Sequence, residues 1–205
     1  MARLLGTISF LVLGVLFFVN KTTAQFVTDT VTLSTDVQTS IAMNLSANTY
    51  PFGNLTAGTP RQGSSGIDAD VTTNAANGYT LGASDNVAGN DSALLHTDLV
   101  TRIADASATI AAPAVWVTGV TKGLGITVFA ADTAKEAKWG TGMTYDDALN
   151  AYAGVPQAAT TVHTSAGYKA GADTTSVAFI VDVDADQKTG TYSGDVTLTA
   201  TAVLI

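Results

Sequence analysis

The sequence predicts an all-β fold: an antiparallel β-sandwich of Ig-like or Greek-key type, with a long N-terminal strand and a signal-peptide helix before it. Three observations carry this expectation. Residues 27–45, VTDTVTLSTDVQTSIAMNL, alternate almost without a break; seven of the ten odd-numbered positions are apolar, against only Ala42 among the nine even-numbered ones. That is the period of a strand with one buried face. Apart from Glu136 every acid in the chain is Asp, a residue that favours turns over helix interiors. Short β-branched and aromatic runs then recur between Gly- and Asp-rich turns, the pattern of a sandwich.

The first segment, MARLLGTISFLVLGVLFFVNKTTAQ, carries Arg3, an apolar run from Leu4 to Val19 and a polar end. It reads as a secretory signal peptide, residues 1–24, cut after Ala24. A retained membrane anchor is the alternative, although 16 apolar residues fall short of the roughly 20 that a spanning helix needs. Residues 25–36 are then an N-terminal strand or arm and 37–205 the sandwich domain. The long alternating stretch would extend roughly 60 Å as one strand, more than a compact domain of this size spans. Ser34-Thr35-Asp36 is then the expected hinge, with Ile41, Met43 and Leu45 in the domain's first strand and Val27, Val31 and Leu33 in the arm; the alternative is that both halves form a local hairpin or bent strand within one sandwich.

Further elements follow in chain order. GIDADVTTNAANGYTLGAS predicts a hairpin, with Ile67, Ala69 and Val71 on one strand, a turn at Asn77-Gly78, and Tyr79, Leu81 and Ala83 on the return. AVWVTG and GLGITVFA predict two central strands and place Trp116 in the core. SVAFIVDVDADQKTGTYSGDVTLTATAVLI predicts a second hairpin, with Phe179, Val181, Tyr192 and Leu198 as core residues. Helix signals are few: TYDDALNAYAG allows a turn or two, and NDSALLHTDLVTRI is open between a helix and a loop that becomes a strand.

Charge and composition exclude some functions. Without Arg3 and Lys21 the nine basic residues become seven against seventeen acidic, a net charge of −10, so phosphate backbones are repelled and no nucleic-acid partner is expected. There is no cysteine, hence no disulfide framework and no thiol-bound metal. No cofactor and no catalysis are expected. His96 and His163 lie in polar surroundings, LLHTD and TVHTS, and read as solvated loop residues with no nucleophile motif near either. The adjacent acids Asp146 and Asp147 point apart on any regular element and read as a solvated face.

Asp182, Asp184 and Asp186 resemble the start of a calcium loop and are the weak metal candidate. Gln187 stands where such a loop needs Gly, and Ser193 where it needs Glu. Alternate residues on the solvent face of a strand explain them better. Trp139, Tyr145, Tyr152 and Tyr168 cluster in a loop-rich stretch and are candidates for stacking on sugar rings, with core packing as the competing explanation. Asn44, Asn54 and Asn90 begin N-x-S/T sequons, which mark surface acceptors for glycosylation in a secreted protein.

Three segments in order, ANTYPFGNLTAGTP, VTTNAANGYTLGAS and DADQKTGTYSGDVTLTATA, resemble secreted bacterial cell-surface β-sandwich proteins of the WxL-like group: an FG-x-L turn, a TNAANGYTL hairpin and a terminal G-T-Y-x-G strand. The last strand lacks the W-x-L triplet tied to wall attachment in that group. The resemblance implies a non-catalytic surface or appendage protein. The leading expectation is a secreted cell-surface structural protein, a fimbria- or filament-type subunit whose arm completes the sheet of another copy or of another surface protein. The alternative is a module that binds cell-wall polysaccharide or other carbohydrate. Neither reading gives the exported protein a membrane segment once the signal is cut.

Overall fold

The computed structural model describes residues 29–85 and 94–204. The chain divides into two units, 1–36 and 37–205. The signal peptide, Val27 and Asn90 lie outside the described residues. In the first unit residues 29–36 form no ladder, and Val31 and Leu33 are 81% and 88% exposed.

The second unit is all-β. Its strands are β1 (Ile41–Leu45), β2 (Arg61–Gln62), β3 (Ile67–Thr73), β4 (Tyr79–Asp85), β5 (Leu94–His96), β6 (Arg102–Ile103) and β7 (Ala114–Val115). They continue with β8 (Gly123–Ala131), β9 (Ala151–Tyr152), β10 (Thr160–Ser165), β11 (Lys169–Asp182), β12 (Tyr192–Ser193) and β13 (Val196–Ala202). One sheet runs β1-β3-β11-β2, with β8 also paired to β11; a second runs β10-β4-β13. Short ladders, β12-β5-β6 and β7-β9, complete the unit, and all strand pairings are antiparallel. Neither stretch with helix signals forms an α-helix: TYDDALNAYAG is turns plus β9, and the described part of NDSALLHTDLVTRI gives β5 and β6.

Both expected hairpins are absent, and the reason is the same for each. β3 pairs with β1 and β11, whereas β4 pairs with β10 and β13, so the TNAANG turn is an arch from one sheet to the other. Ile67, Ala69 and Val71 therefore face Tyr79, Leu81 and Ala83 across the core instead of lying beside them on one sheet, and all six are buried. Likewise β11 and β13 belong to different sheets. Period-2 alternation marks which residues are buried and is blind to whether the next strand adds to the same sheet or crosses over. The Asn77-Gly78 turn itself is where the sequence places it: Gly78 has φ +80°, and a Cβ there would come 2.0 Å from the Ser165 carbonyl oxygen. Only glycine suits both conditions.

The centre of the first sheet is β11, buried on both faces from Val177 to Asp182. Toward the core, Val177, Phe179 and Val181 pair with Val128, Ile126 and Leu124 of β8. On the other face Trp116 and Tyr152 stack edge to face, centroids 5.8 Å apart, over Gly125, where a Cβ would meet Trp116 at 2.9 Å. Trp116 thus covers the outside of the sheet and is not part of the core between the sheets, and β7 beside it is a two-residue exposed strand. Of the four core residues expected from the chain's end, Phe179 and Val181 are buried, while Tyr192 and Leu198 are only partly so, because β12 ends the short β12-β5-β6 ladder and β13 is the edge strand of its sheet.

At the arch end a polar cluster is closed inside the sandwich. The Tyr79 hydroxyl donates to Asp173 Oδ2 at 2.9 Å, and Lys169 Nζ lies 3.1 Å from Asp173 Oδ1. A register shift in β11 between Lys169 and Asp173 turns Asp173 inward. Burial acts to raise the Asp173 pKa, but the hydroxyls of Ser165 and Tyr79 and the Lys169 ammonium outweigh it, so its carboxyl stays below the usual range. Burial pushes the Tyr79 phenol up to about 12.

Leu81→Ala, in the middle strand of its sheet, is expected to cost about 2–5 kcal/mol in chemical unfolding, and Leu198→Ala on the edge about half as much. Tyr79→Phe is expected to cost about 1.5–3 kcal/mol at pH 7, the scale for a hydrogen bond to a charged group. The Asp173 pKa is lower folded than unfolded, so its stabilisation is present above about pH 4 and fades as pH falls further. Without the tyrosine hydroxyl the folded value rises toward the unfolded one, and the variant's stability should fall less steeply between about pH 4 and 2 than the wild type's.

Candidate assembly site

β1 and β13 are the terminal strands of the two main sheets, and among the described residues neither has a ladder on its second edge. Their side chains alternate cleanly. Ile41, Met43 and Leu45 on β1, and Val196, Leu198 and Ala200 on β13, point inward and pack on the core, yet each stays partly exposed. Their neighbours on β3 and β4 are sealed. The core is thus incompletely covered along one side.

At one end of this side lies a cleft of about 1160 Å³ that reaches Ile67, Leu124 and Phe179. Two of the motifs behind the sequence resemblance form its walls. In the FG-x-L turn Gly53 takes φ +70°, and Phe52 and Leu55 pack on the core. Tyr50 beside them donates to the Phe179 carbonyl at 3.1 Å and meets the Phe179 ring edge-on at 5.1 Å. The opposite wall is the G-T-Y-x-G segment. Tyr192 donates to the Lys188 carbonyl and accepts from Gln187 Nε2, both at 2.7 Å. Its ring lies 5.0 Å from that of His96, and Gly190, at φ +142°, admits the imidazole where a Cβ would be 2.1 Å from Nε2.

Both histidines are buried, contrary to the expectation of solvated loops. His96 is held by Tyr192, by Thr189 and by the Asp98 loop. His163 owes its position to a bulge between Thr161 and His163, which turns two consecutive residues, Val162 and His163, into the core. Its Nδ1 lies 3.0 Å from Glu136 Oε2, and the backbone N–H of Thr164 donates to Oε1 of the same carboxylate. Glu136 thereby ties the 3-10 turn at Ala137–Trp139 to β10.

The acidic candidates separate. Asp182 is buried rather than on a solvent face: Lys122 Nζ contacts its Oδ2 at 2.9 Å, and its own Oδ1 accepts the Val183 N–H. Asp184 and Asp186 are exposed in the turn beyond. Among the described residues no three acids or histidines are grouped as metal ligands. Asp146 is exposed, while Asp147 is partly buried and accepts from the N–H groups of Met143 and Leu149.

The four aromatic candidates do not form one platform. Trp139 is fully buried and donates to the Val162 carbonyl at 2.8 Å. Tyr152 is 4% exposed, with its hydroxyl 2.6 Å from Gln62 Nε2. Tyr145 is partly buried above it, and Tyr168 alone is exposed, on the turn between β10 and β11. Tyr152 packs with Trp116 over the outer face at Gly125 and Trp139 is part of the core, so the fold consumes two of the four rings. Asn44 and Asn54 are exposed.

Sequence reasoning missed the cleft because it joins residues from opposite ends of the chain. The signal that could have found it was the pair of glycine-bearing motifs that form its walls. Gly190→Ala is expected to push His96 off the Tyr192 ring and open that wall, seen as a loss of the His96–Tyr192 contact by NMR and as a lower unfolding temperature. No protein-family model matches this chain, and no curated protein or solved structure matches it at a significant level.

Proposed function

We propose that this protein is a non-catalytic structural subunit of a bacterial cell surface, exported by its signal peptide and assembled with further copies of itself through its N-terminal arm. The observation that carries the reading is the arm: an alternating segment with no ladder of its own and with Val31 and Leu33 almost wholly exposed. Exposed apolar side chains at strand spacing are a cost to an isolated subunit and a binding surface for one that lends a strand. The resemblance to WxL-like surface proteins supports the same class. Both histidines are used in internal contacts, which supports a structural role over catalysis. Binding to wall polysaccharide has less support, since Trp139 and Tyr152 are buried in the fold.

The chain recovered after export from a bacterial host is expected to begin at Gln25 by N-terminal sequencing. In electron micrographs it should form filaments or linear oligomers. A chain that keeps residues 1–24, or one that stays strictly monomeric at millimolar concentration, would contradict the reading.

A further inference from the structure

Resting on that reading, we infer that the acceptor is the open side of the sandwich in a second copy: the donated arm, residues 27–33, adds to the free edge of β13 and lays its apolar residues into the cleft that β13 borders at Val196 and Leu198. Three independent observations converge on this occupant.

The first is the acceptor's incompleteness. A sheet edge without a partner and a half-covered apolar row occur on the same strand, β13, and a matching row faces it from β1. One added strand would satisfy the edge hydrogen bonds of β13 and cover its half-exposed row. The second is the pattern of the donor. β13 reads VTLTATA, with Val196, Leu198, Ala200 and Ala202 turned inward and Thr197, Thr199 and Thr201 exposed. The arm reads VTDTVTL, also seven residues, with threonine at every even position. Laid beside β13 it would extend the outer threonine row of that sheet and turn Val27, Val31 and Leu33 toward the core, a pairing that suits both faces. Asp29 alone interrupts the apolar face.

The third observation is the state of the arm. Residues 29–33 are exposed and outside any ladder, and Asn74 holds the start of the domain just beyond the hinge, accepting from the Ser40 N–H and donating to the Gln38 carbonyl. The arm is thus free to leave, while the domain it leaves stays anchored.

The test uses the exported chain and variants of it that damage one partner at a time. Val31→Asp with Leu33→Asp spoils the donor and leaves the cleft intact. Ala47→Trp fills the cleft by volume, and Val196→Lys places a charge on its rim; both leave the arm intact. Thermal unfolding shows which variants are folded, and the bulky variant deletes no packing if the charged one proves unstable. Light scattering over a concentration series should show association of the wild type, weakened at least about thirtyfold in each variant alone. An equimolar mixture of the donor variant and a folded cleft variant should form a discrete one-to-one dimer, because a single productive junction remains. If the cleft variants associate like the wild type while the donor variant does not, the acceptor lies elsewhere and the arm-exchange reading survives. A donor variant that associates normally, or a monomeric wild type, overturns arm exchange and this acceptor with it. A mixture that stays monomeric overturns the assignment of the cleft.

Discussion

The fold depends on the arch at Asn77-Gly78, where the chain leaves one sheet and enters the other. Because β3 and β4 lie on opposite sides of the core, the row Ile67, Ala69, Val71 closes against the row Tyr79, Leu81, Ala83, and all six side chains lose their contact with water. For the larger of them this burial is worth about 1.5–3 kcal/mol each. The turn must be tight enough to keep the two sheets in contact, and Gly78 is pressed against the Ser165 carbonyl. Its own carbonyl accepts the Val203 N–H, which ties the arch to the end of β13. The buried Tyr79–Asp173 contact then joins the two sheets by a charge-assisted hydrogen bond just inside the arch.

Crossing between sheets has a consequence at the sides of the sandwich. Strands that enter as crossovers cannot close a sheet on itself, so each main sheet keeps free edges. Where β1 and β13 fall on the same side, the inner rows of both edges stay partly wet. The outer face of β8 and β11 is handled differently: Trp116 and Tyr152 lie over it, and Gly125 provides the space in which the Trp116 ring lies. The protein therefore covers one vulnerable surface with its own loops and leaves the other open. A subunit that assembles by receiving a strand needs that asymmetry, since a fully covered sandwich would have no place for the strand and a doubly open one would aggregate.

How the polar residues are used follows from the same architecture. In a chain without cysteine and with a single glutamate, several of the ionisable groups that enter the interior do so in pairs, three of them being Asp182 with Lys122, Asp173 with Lys169, and Glu136 with His163. Each pair joins segments distant in sequence or pins a bulge, and two of the three involve an end of β11, the central strand of its sheet. Removing one member would leave the other buried without its counter-charge, a larger loss than the pair's net contribution. Residues that look like candidate ligands or catalysts in the linear sequence are thus absorbed into holding the sheets together.

Side-chain alternation and turn chemistry by themselves determined the class of the fold, the position of the first domain strand at Ile41, Met43 and Leu45, the glycine turn at Asn77-Gly78, and the inward residues of β3, β4 and β11. These are local properties: a strand's two faces and a glycine's permitted φ are set by residues within a few positions of one another. What alternation cannot encode is which sheet a strand joins, and so the two expected hairpins became arches. Bulges are equally invisible to it, which is why His163 is buried together with Val162, and Asp173 is buried next to the exposed Ala172. The fate of Trp139 and Tyr152 was also decided by tertiary structure, because an aromatic ring in a loop is a ligand platform or a plug according to what lies beneath it. The cleft between the FG-x-L turn and the G-T-Y-x-G segment exists only because strands from the two ends of the chain became the facing edges of different sheets, and pairing over more than a hundred residues is a property of the folded whole.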